Sequence, residues 1–157
     1  RLAEVPGISV TMAAAIIAET GLDMTRFPTA AHLVSWAGLC PVAQQSGPRS
    51  RGGKKGHGNT YLRSSLGQAA TGASRTATFL GERYGRIARR RGKAKAQVAV
   101  GRSILIIIWH LLSDPAARYT DLGPDYVASR TDRDKKIRNH VRGLRSMGLE
   151  VTLTPAA

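Results

Sequence analysis

The sequence predicts a mostly α-helical fold, with one compact helical domain and a small C-terminal appendage of a helix plus a strand. The chain has 157 residues, enough to bury one core. Apolar residues recur at three- and four-residue steps along most of it, which is the spacing of amphipathic helices. Residues 94–112 are apolar on nearly every side, so they predict a central buried helix.

The first element, a helix-hairpin-helix over residues 1–26, is predicted from VPGI at residues 5–8, where a tight Pro-Gly turn would begin the second helix. Exposed amides at such a helix start can hold a phosphate, so Gly7 and Ser9 are candidate nucleic-acid contacts. The Ser9 hydroxyl can cap the helix, and Gly21 should end it. An ordinary two-helix packing unit without DNA contact is the alternative. A short helix capped by Thr29 should follow.

Residues 41–60 predict a glycine-rich basic loop between two ordered segments. Glycines let backbone amides approach an anion closely, and the basic side chains supply charge for phosphates. The candidate nucleic-acid contacts in and beside this loop are Arg49, Arg51, Lys54, Lys55, Asn59 and Arg63. Ser46 precedes a glycine, so its hydroxyl is a candidate nucleophile. Ser50, Ser64 and Ser65 are rival hydroxyls, the last two within a predicted helix.

After the loop, apolar residues from 62 to 80 mark one amphipathic helix, and Gly81 and Gly85 interrupt the pattern. A basic run then includes Arg89, Arg90 and Arg91. Such a run is often only a solvated face, but a phosphate contact is favoured here because nearby acids that would neutralise it are lacking.

The buried segment 94–112 is predicted as a helix, with a strand at 104–108 as the competing interpretation. Further on, residues 132–147 have the apolar spacing of a charged helix that Gly148 would cap. Residues 149–153 alternate as one short strand, which needs a partner.

Charge narrows the partner class. The formal net charge is +14 and the pI is about 11.2, which favours nucleic acid. Fourteen of the 24 Lys and Arg residues lie between positions 49 and 102, against the single acid Glu82.

Cys40, the one cysteine, is interpreted as a buried thiol, which fits a reducing cytoplasm. The apolar run 104–112 is too short to span a membrane, so neither an anchor nor a membrane partner is expected. No residues stand at metal-ligand spacing, so no metal site is predicted in this chain.

The order AGLCP, QSG, a basic glycine-rich run and GN-x-YLR, between residues 37 and 63, resembles the C-terminal catalytic module of the insertion sequence 110/116/902 family of bacterial serine-type transposases. The resemblance extends upstream to VPGI and downstream to WHLL at 109–112 and YTDLGPDY at 119–126. It implies a catalytic domain over residues 1–118 and an extension over 119–157. It also implies that an acidic RuvC-like domain stands upstream in the full protein, outside these residues, which start in mid-pattern without a methionine.

The resemblance implies that Ser46 attacks a DNA phosphate and forms a covalent phosphoserine intermediate during strand exchange. The acidic domain would bind Mg²⁺, so this chain would need no cofactor of its own and would be inactive alone. DNA, a structured guide RNA and further copies of the full-length protein are the implied partners, in the bacterial cytoplasm. The alternative function is a non-catalytic basic helix-hairpin-helix module that binds DNA or RNA.

Overall fold

The structure, a computed structural model, describes residues 1–40, 43–46, 49–52, 58–130 and 133–153; in the two strands and at 133–136 it describes the backbone alone. Two compact units form, Arg1–Pro124 and Asp125–Ala157. The predicted mostly helical fold is confirmed. In chain order the elements are α1 (Val10–Thr20), α2 (Ala30–Trp36), β1 (Ala43–Ser46), β2 (Arg49–Gly52), α3 (Thr60–Ala73), α4 (Phe79–Arg91), α5 (Lys93–Ser113), α6 (Tyr126–Ser129) and α7 (Arg133–Ser146).

Helix α5 is the centre of the first unit, as its composition predicted, and the competing strand at 104–108 is wrong. It packs against α2, α3 and α4, and residues such as Ile104 and Ile108 are fully buried. One expectation needs correction, because α5 is not apolar on nearly every side: Val98 is 40% exposed, and Lys95 and Arg102 are exposed. By length and composition α5 could cross a membrane, a test that core helices of globular proteins also pass.

The turn before α1 packs directly on α3. It follows a single 3-10 turn, Leu2–Glu4. Gly7 has φ +87°, and a Cβ atom there would lie 2.1 Å from the Ala69 carbonyl oxygen in α3. Only glycine fits this approach. The predicted cap is confirmed, since Ser9 Oγ accepts a hydrogen bond from Met12 N at 3.2 Å.

The break between α3 and α4 lies at residues 74–78, so the single helix predicted over 62–80 is wrong. Thr76 Oγ1 donates to the Ala73 carbonyl oxygen at 2.8 Å, and Thr78 Oγ1 accepts from Gly81 N at 3.3 Å. Hydroxyl groups therefore end one helix and begin the next. Gly81 lies inside α4 for a packing reason, because a Cβ there would stand 2.1 Å from the Thr76 carbonyl oxygen.

The second unit contains α6 and α7, and α7 confirms the helix predicted over 132–147. Its end is closed by Gly148 N, which donates to the Arg145 carbonyl oxygen at 3.0 Å. The strand predicted at 149–153 is wrong, because these residues form no strand. A strand is stabilised by hydrogen bonds to a neighbour, and no described segment pairs with this one.

Candidate nucleic-acid interface

The two ends of the basic loop meet at its base. The chain enters the loop through the turn at Ala37 and Gly38, directly after α2, and leaves it at Gly58. A Cβ atom on Gly58 would lie 2.3 Å from the Ala37 carbonyl oxygen and 2.6 Å from Gly38 N. Backbone therefore rests on backbone here, and any side chain would force the two segments apart.

Asn59 fixes this base to the helical core. Its Oδ1 accepts a hydrogen bond from Leu62 N at 2.9 Å and so caps α3. Its Nδ2 donates to Glu19 Oε2 of α1 at 2.5 Å. Asn59 thus joins the start of α3 to α1, and a contact of its amide with nucleic acid stays a prediction. We call Gly58, Asn59 and the residues they touch the loop anchor.

Within the loop, β1 and β2 form an antiparallel pair. The register sets Ser46 opposite Arg49, and Gln44 opposite Arg51. Cross-strand partners in such a pair are close neighbours, so the candidate nucleophile and a candidate phosphate contact share one register position. Lys54 and Lys55 lie outside the described residues. This ladder was not predicted from the sequence.

A second basic surface lies where α4 ends and α5 begins. We call it the basic corner; it comprises Arg89, Arg90, Arg91 and Lys93, all exposed. The expectation that nearby acids are lacking needs one correction. On the same helix, Glu82 Oε1 lies 3.5 Å from Arg86 Nε and forms an ion pair with it.

Arg83, on the same helix, is half-buried. Burial lowers the pKa of its guanidinium, and repulsion from Arg86 and Arg102 lowers the pKa further, while Glu82 opposes the shift. Positive charge is therefore already crowded along α4 before any ligand binds.

A third feature is a groove of about 830 Å³ between α3 and α5, open at one end to Gly38, Leu39 and Cys40. We call it the α3–α5 groove. Arg63 and the rival hydroxyl of Ser64 line it from α3, and Lys95 and Arg102 line it from α5. Sequence reasoning found Arg63 and missed the two cations of α5. The available signal was their seven-residue spacing, which places both on one helix face.

The family model described as Transposase IS116/IS110/IS902 family matches residues 1–86, more than half of the chain. The chain belongs to this transposase family. The match contains the Gly7 turn, the loop anchor, both strands and α3, and it ends before the basic corner.

One curated relative is 47% identical over 51 residues, a stretch that covers 32% of this chain. It is the "Insertion element IS110 uncharacterized 43.6 kDa protein" of Streptomyces coelicolor, and the matched stretch is 12% of its length. The chain therefore corresponds to a small part of that relative.

The carboxylates in the part of the chain that the structure describes do not form a cluster that fits Mg²⁺. Among the residues that the structure describes, no three His, Cys, Asp or Glu side chains cluster as metal ligands. Several acids have protein partners instead: Glu19 accepts from Asn59, Glu82 pairs with Arg86, and Glu4 pairs with Arg118.

Proposed function

We propose that this chain is the serine-bearing catalytic module of a transposase that cuts and rejoins DNA. The observation that carries the proposal is the family match over the segment that holds Ser46. The register position opposite Arg49 and the loop anchor beneath the strands support it. A nucleophile needs a fixed position, and the developing phosphate charge needs a nearby cation.

In the proposed step, Ser46 Oγ loses its proton to water and forms a bond to a DNA phosphorus. A deoxyribose oxygen leaves with the electron pair of the broken bond and takes up a proton from water to become a free hydroxyl. The strand is then held as a phosphoserine ester, which conserves the bond energy. A hydroxyl of a second strand later attacks the same phosphorus and displaces Ser46 Oγ, which regains a proton. Arg49, Arg51 and Arg63 would hold the phosphates during both steps.

The proposed partners are DNA, a structured guide RNA and further copies of the full-length protein, in the bacterial cytoplasm. The Mg²⁺ that such chemistry employs would be held by an acidic RuvC-like domain, because the described carboxylates do not form its site. The isolated chain would then bind nucleic acid without cutting it.

A second candidate function is a basic module that binds nucleic acid without chemistry. The observation that favours it is the basic corner, where four cations are exposed to a ligand. The basic corner also lies beyond the residues that match the family, so phosphate binding there does not depend on Ser46.

The test compares Ser46→Ala with Ser50→Ala in the full-length transposase. Ser46→Ala should abolish recombination and the covalent protein–DNA adduct, yet leave DNA affinity within about twofold, because one hydroxyl adds little to a phosphate-dominated interface. Ser50→Ala should keep both recombination and the covalent adduct. Peptide mapping should place the adduct within residues 40–49. Recombination that survives Ser46→Ala, or an adduct on Ser50, Ser64 or Ser65, would overturn the assignment of Ser46 as the nucleophile.

A further inference from the structure

The α3–α5 groove is built from two matching helix faces. Residues at i, i+3, i+4 and i+7 share one face of a helix, and both helices contribute such a set. From α3 the set is Thr60, Arg63, Ser64 and Gly67, and from α5 it is Lys95, Val98, Ala99 and Arg102.

Close contacts beneath the groove fix the distance between the two helices. A Cβ on Gly101 would lie 3.3 Å from the Leu66 carbonyl oxygen, so the backbones approach closely there. Gln97 Nε2 donates to the Gly67 carbonyl oxygen at 3.0 Å and to Thr71 Oγ1 at 3.2 Å. Above these contacts the small side chains of Ala94 and Ala99 leave the space open. These contacts therefore set the spacing of the two helices beside the groove.

The groove combines a mostly apolar lining with three cations. Val98 and Leu66 belong to the apolar lining, here called the floor, whereas Arg63, Lys95 and Arg102 bring the positive charge. No carboxylate occurs among the described residues that line it. A fitting ligand therefore carries flat uncharged groups and repeated negative charges.

We propose that the α3–α5 groove binds unpaired nucleotides of single-stranded nucleic acid, with the bases on the apolar floor and the phosphates at the three cations. Bases in a duplex are stacked and paired, so they cannot enter, whereas single strands present their bases to apolar surfaces. The positive charge continues from Lys95 to the basic corner at Lys93, which suits a polyanion longer than the groove. This proposal rests on the proposed function and names the form of nucleic acid that the module holds.

The first test blocks the groove. Val98→Trp places a large ring on the floor, and Val10→Trp is the matched control, because Val10 is 77% exposed on α1 and lies outside the groove. Affinity of the isolated chain is measured for a single strand and a duplex of about 12 nucleotides at one salt concentration. Val98→Trp should weaken single-strand binding at least about tenfold and duplex binding less than about twofold. Val10→Trp should change neither.

Cys40 provides a second readout. It is the only cysteine in the sequence, and the interpretation of it as a buried thiol is wrong, because Cys40 is half-buried and lines one end of the groove. A single strand that carries a disulfide-activated tether on a base should cross-link to Cys40, and a duplex with the same tether should not. Val98→Trp should lower the yield and Val10→Trp should not, while Cys40→Ala should abolish the adduct.

If Val98→Trp does not fold, the double substitution Lys95→Gln with Arg102→Gln replaces it, and Arg75→Gln serves as the exposed control outside the groove. The double variant should weaken single-strand binding more than duplex binding.

Unchanged single-strand affinity in the blocked variant, equal loss on both ligands, or a groove that instead binds an acidic peptide would overturn the groove proposal alone. A wild-type chain that binds neither ligand would overturn the proposed function as well.

Discussion

The loop anchor has no space for one extra methyl group, whereas the basic corner has open space around it. Gly58 lies against the backbone of Ala37 and Gly38, and Asn59 has two protein partners. Near the corner, an added Cβ on Gly85 or Gly92 would meet nothing within 4 Å.

Both regions combine glycine with polar or basic residues, the composition expected of a phosphate site. The space around each glycine separates their roles. At the anchor, glycine permits close packing and Asn59 holds helices together. At the corner, Arg89, Arg90 and Arg91 are exposed and available to a ligand. Glycine beside a polar residue is therefore not sufficient evidence for phosphate binding.

The largest expected effect comes from adding one methyl group in each region. Gly58→Ala should lower the free energy of unfolding by about 2–4 kcal/mol, because its Cβ would overlap the Ala37 carbonyl oxygen. Gly85→Ala should raise it by about 0.5–1 kcal/mol, because alanine favours the interior of α4 and has room there. Urea denaturation measures both values. Changes of the same sign would contradict the distinction between a closed and an open region.

The next effect concerns the cap at the loop anchor. Asn59→Ala should lower the free energy of unfolding by about 2–3 kcal/mol, because it removes the cap of α3 and leaves Glu19 without this donor. Ser9→Ala at the start of α1 is the control and should cost about 1 kcal/mol, since Ser9 caps only its own helix. Asn59→Asp should keep the cap yet still destabilise, through repulsion by Glu19. Equal losses for the two alanine variants would mean that the bond to Glu19 contributes nothing.

At the basic corner the expected effect is on binding rather than on stability. Replacing Arg89, Arg90 and Arg91 by alanine should change the free energy of unfolding by less than about 0.5 kcal/mol. If about six phosphates are neutralised, the wild-type slope of log affinity against log salt is roughly −5, and the variant slope should be flatter by up to about three. A control of equal charge removes Arg26, Arg75 and Arg118, and it should flatten the slope less. Identical slopes for the two variants would show that the corner has no special role.

The smallest effect concerns the start of α4, which is the end of this helix opposite the basic corner. Tyr119 Oη donates to Asp121 Oδ1 at 2.9 Å, and Asp121 accepts from Phe79 N at 3.2 Å. Burial raises the pKa of Tyr119 above its ordinary value of 10.0, and Asp121 adds to the rise. The folded state thus favours the neutral phenol. Its stabilisation is complete below pH 10 and declines as the pH rises towards the higher pKa of the folded state.

Tyr119→Phe should remove this alkaline decline. The difference in Tm between wild type and variant should therefore narrow from about pH 9 to pH 11. A constant difference over that range would show that Tyr119 does not contribute to the pH dependence.

Apolar periodicity was sufficient to predict α5 and α7, because apolar residues recur at helical spacing in both segments. In α5 that face is buried, whereas in α7 Leu144 is exposed. Periodicity failed between α3 and α4, because the break there depends on hydrogen bonds of the Thr76 and Thr78 hydroxyls. Gly81, the glycine that suggested a break, lies inside α4 and is needed for packing. The strand pair also escaped prediction, because AQQS and RSRG are polar and do not alternate.

The candidate nucleic-acid interface was only partly predictable from the sequence. Charge identified Arg63 and the basic corner, and the family resemblance identified Ser46. The packing role of Asn59 depends on Glu19, forty residues away in the sequence, so no local pattern could show it. The α3–α5 groove depends on which faces of two helices meet, and that is set by tertiary packing.

The contact between Gly58 and the Ala37–Gly38 turn also bears on how such a protein can diverge. The core itself holds the two ends of the loop together, so the length of the intervening chain matters little for folding. Doubling the length of a flexible loop adds only about 0.6 kcal/mol of closure entropy. Insertions between positions 41 and 57 that leave Ser46 and its neighbouring cations in place can therefore accumulate while the helices keep their arrangement. Selection can then change what the loop recognises without redesigning the scaffold that carries it.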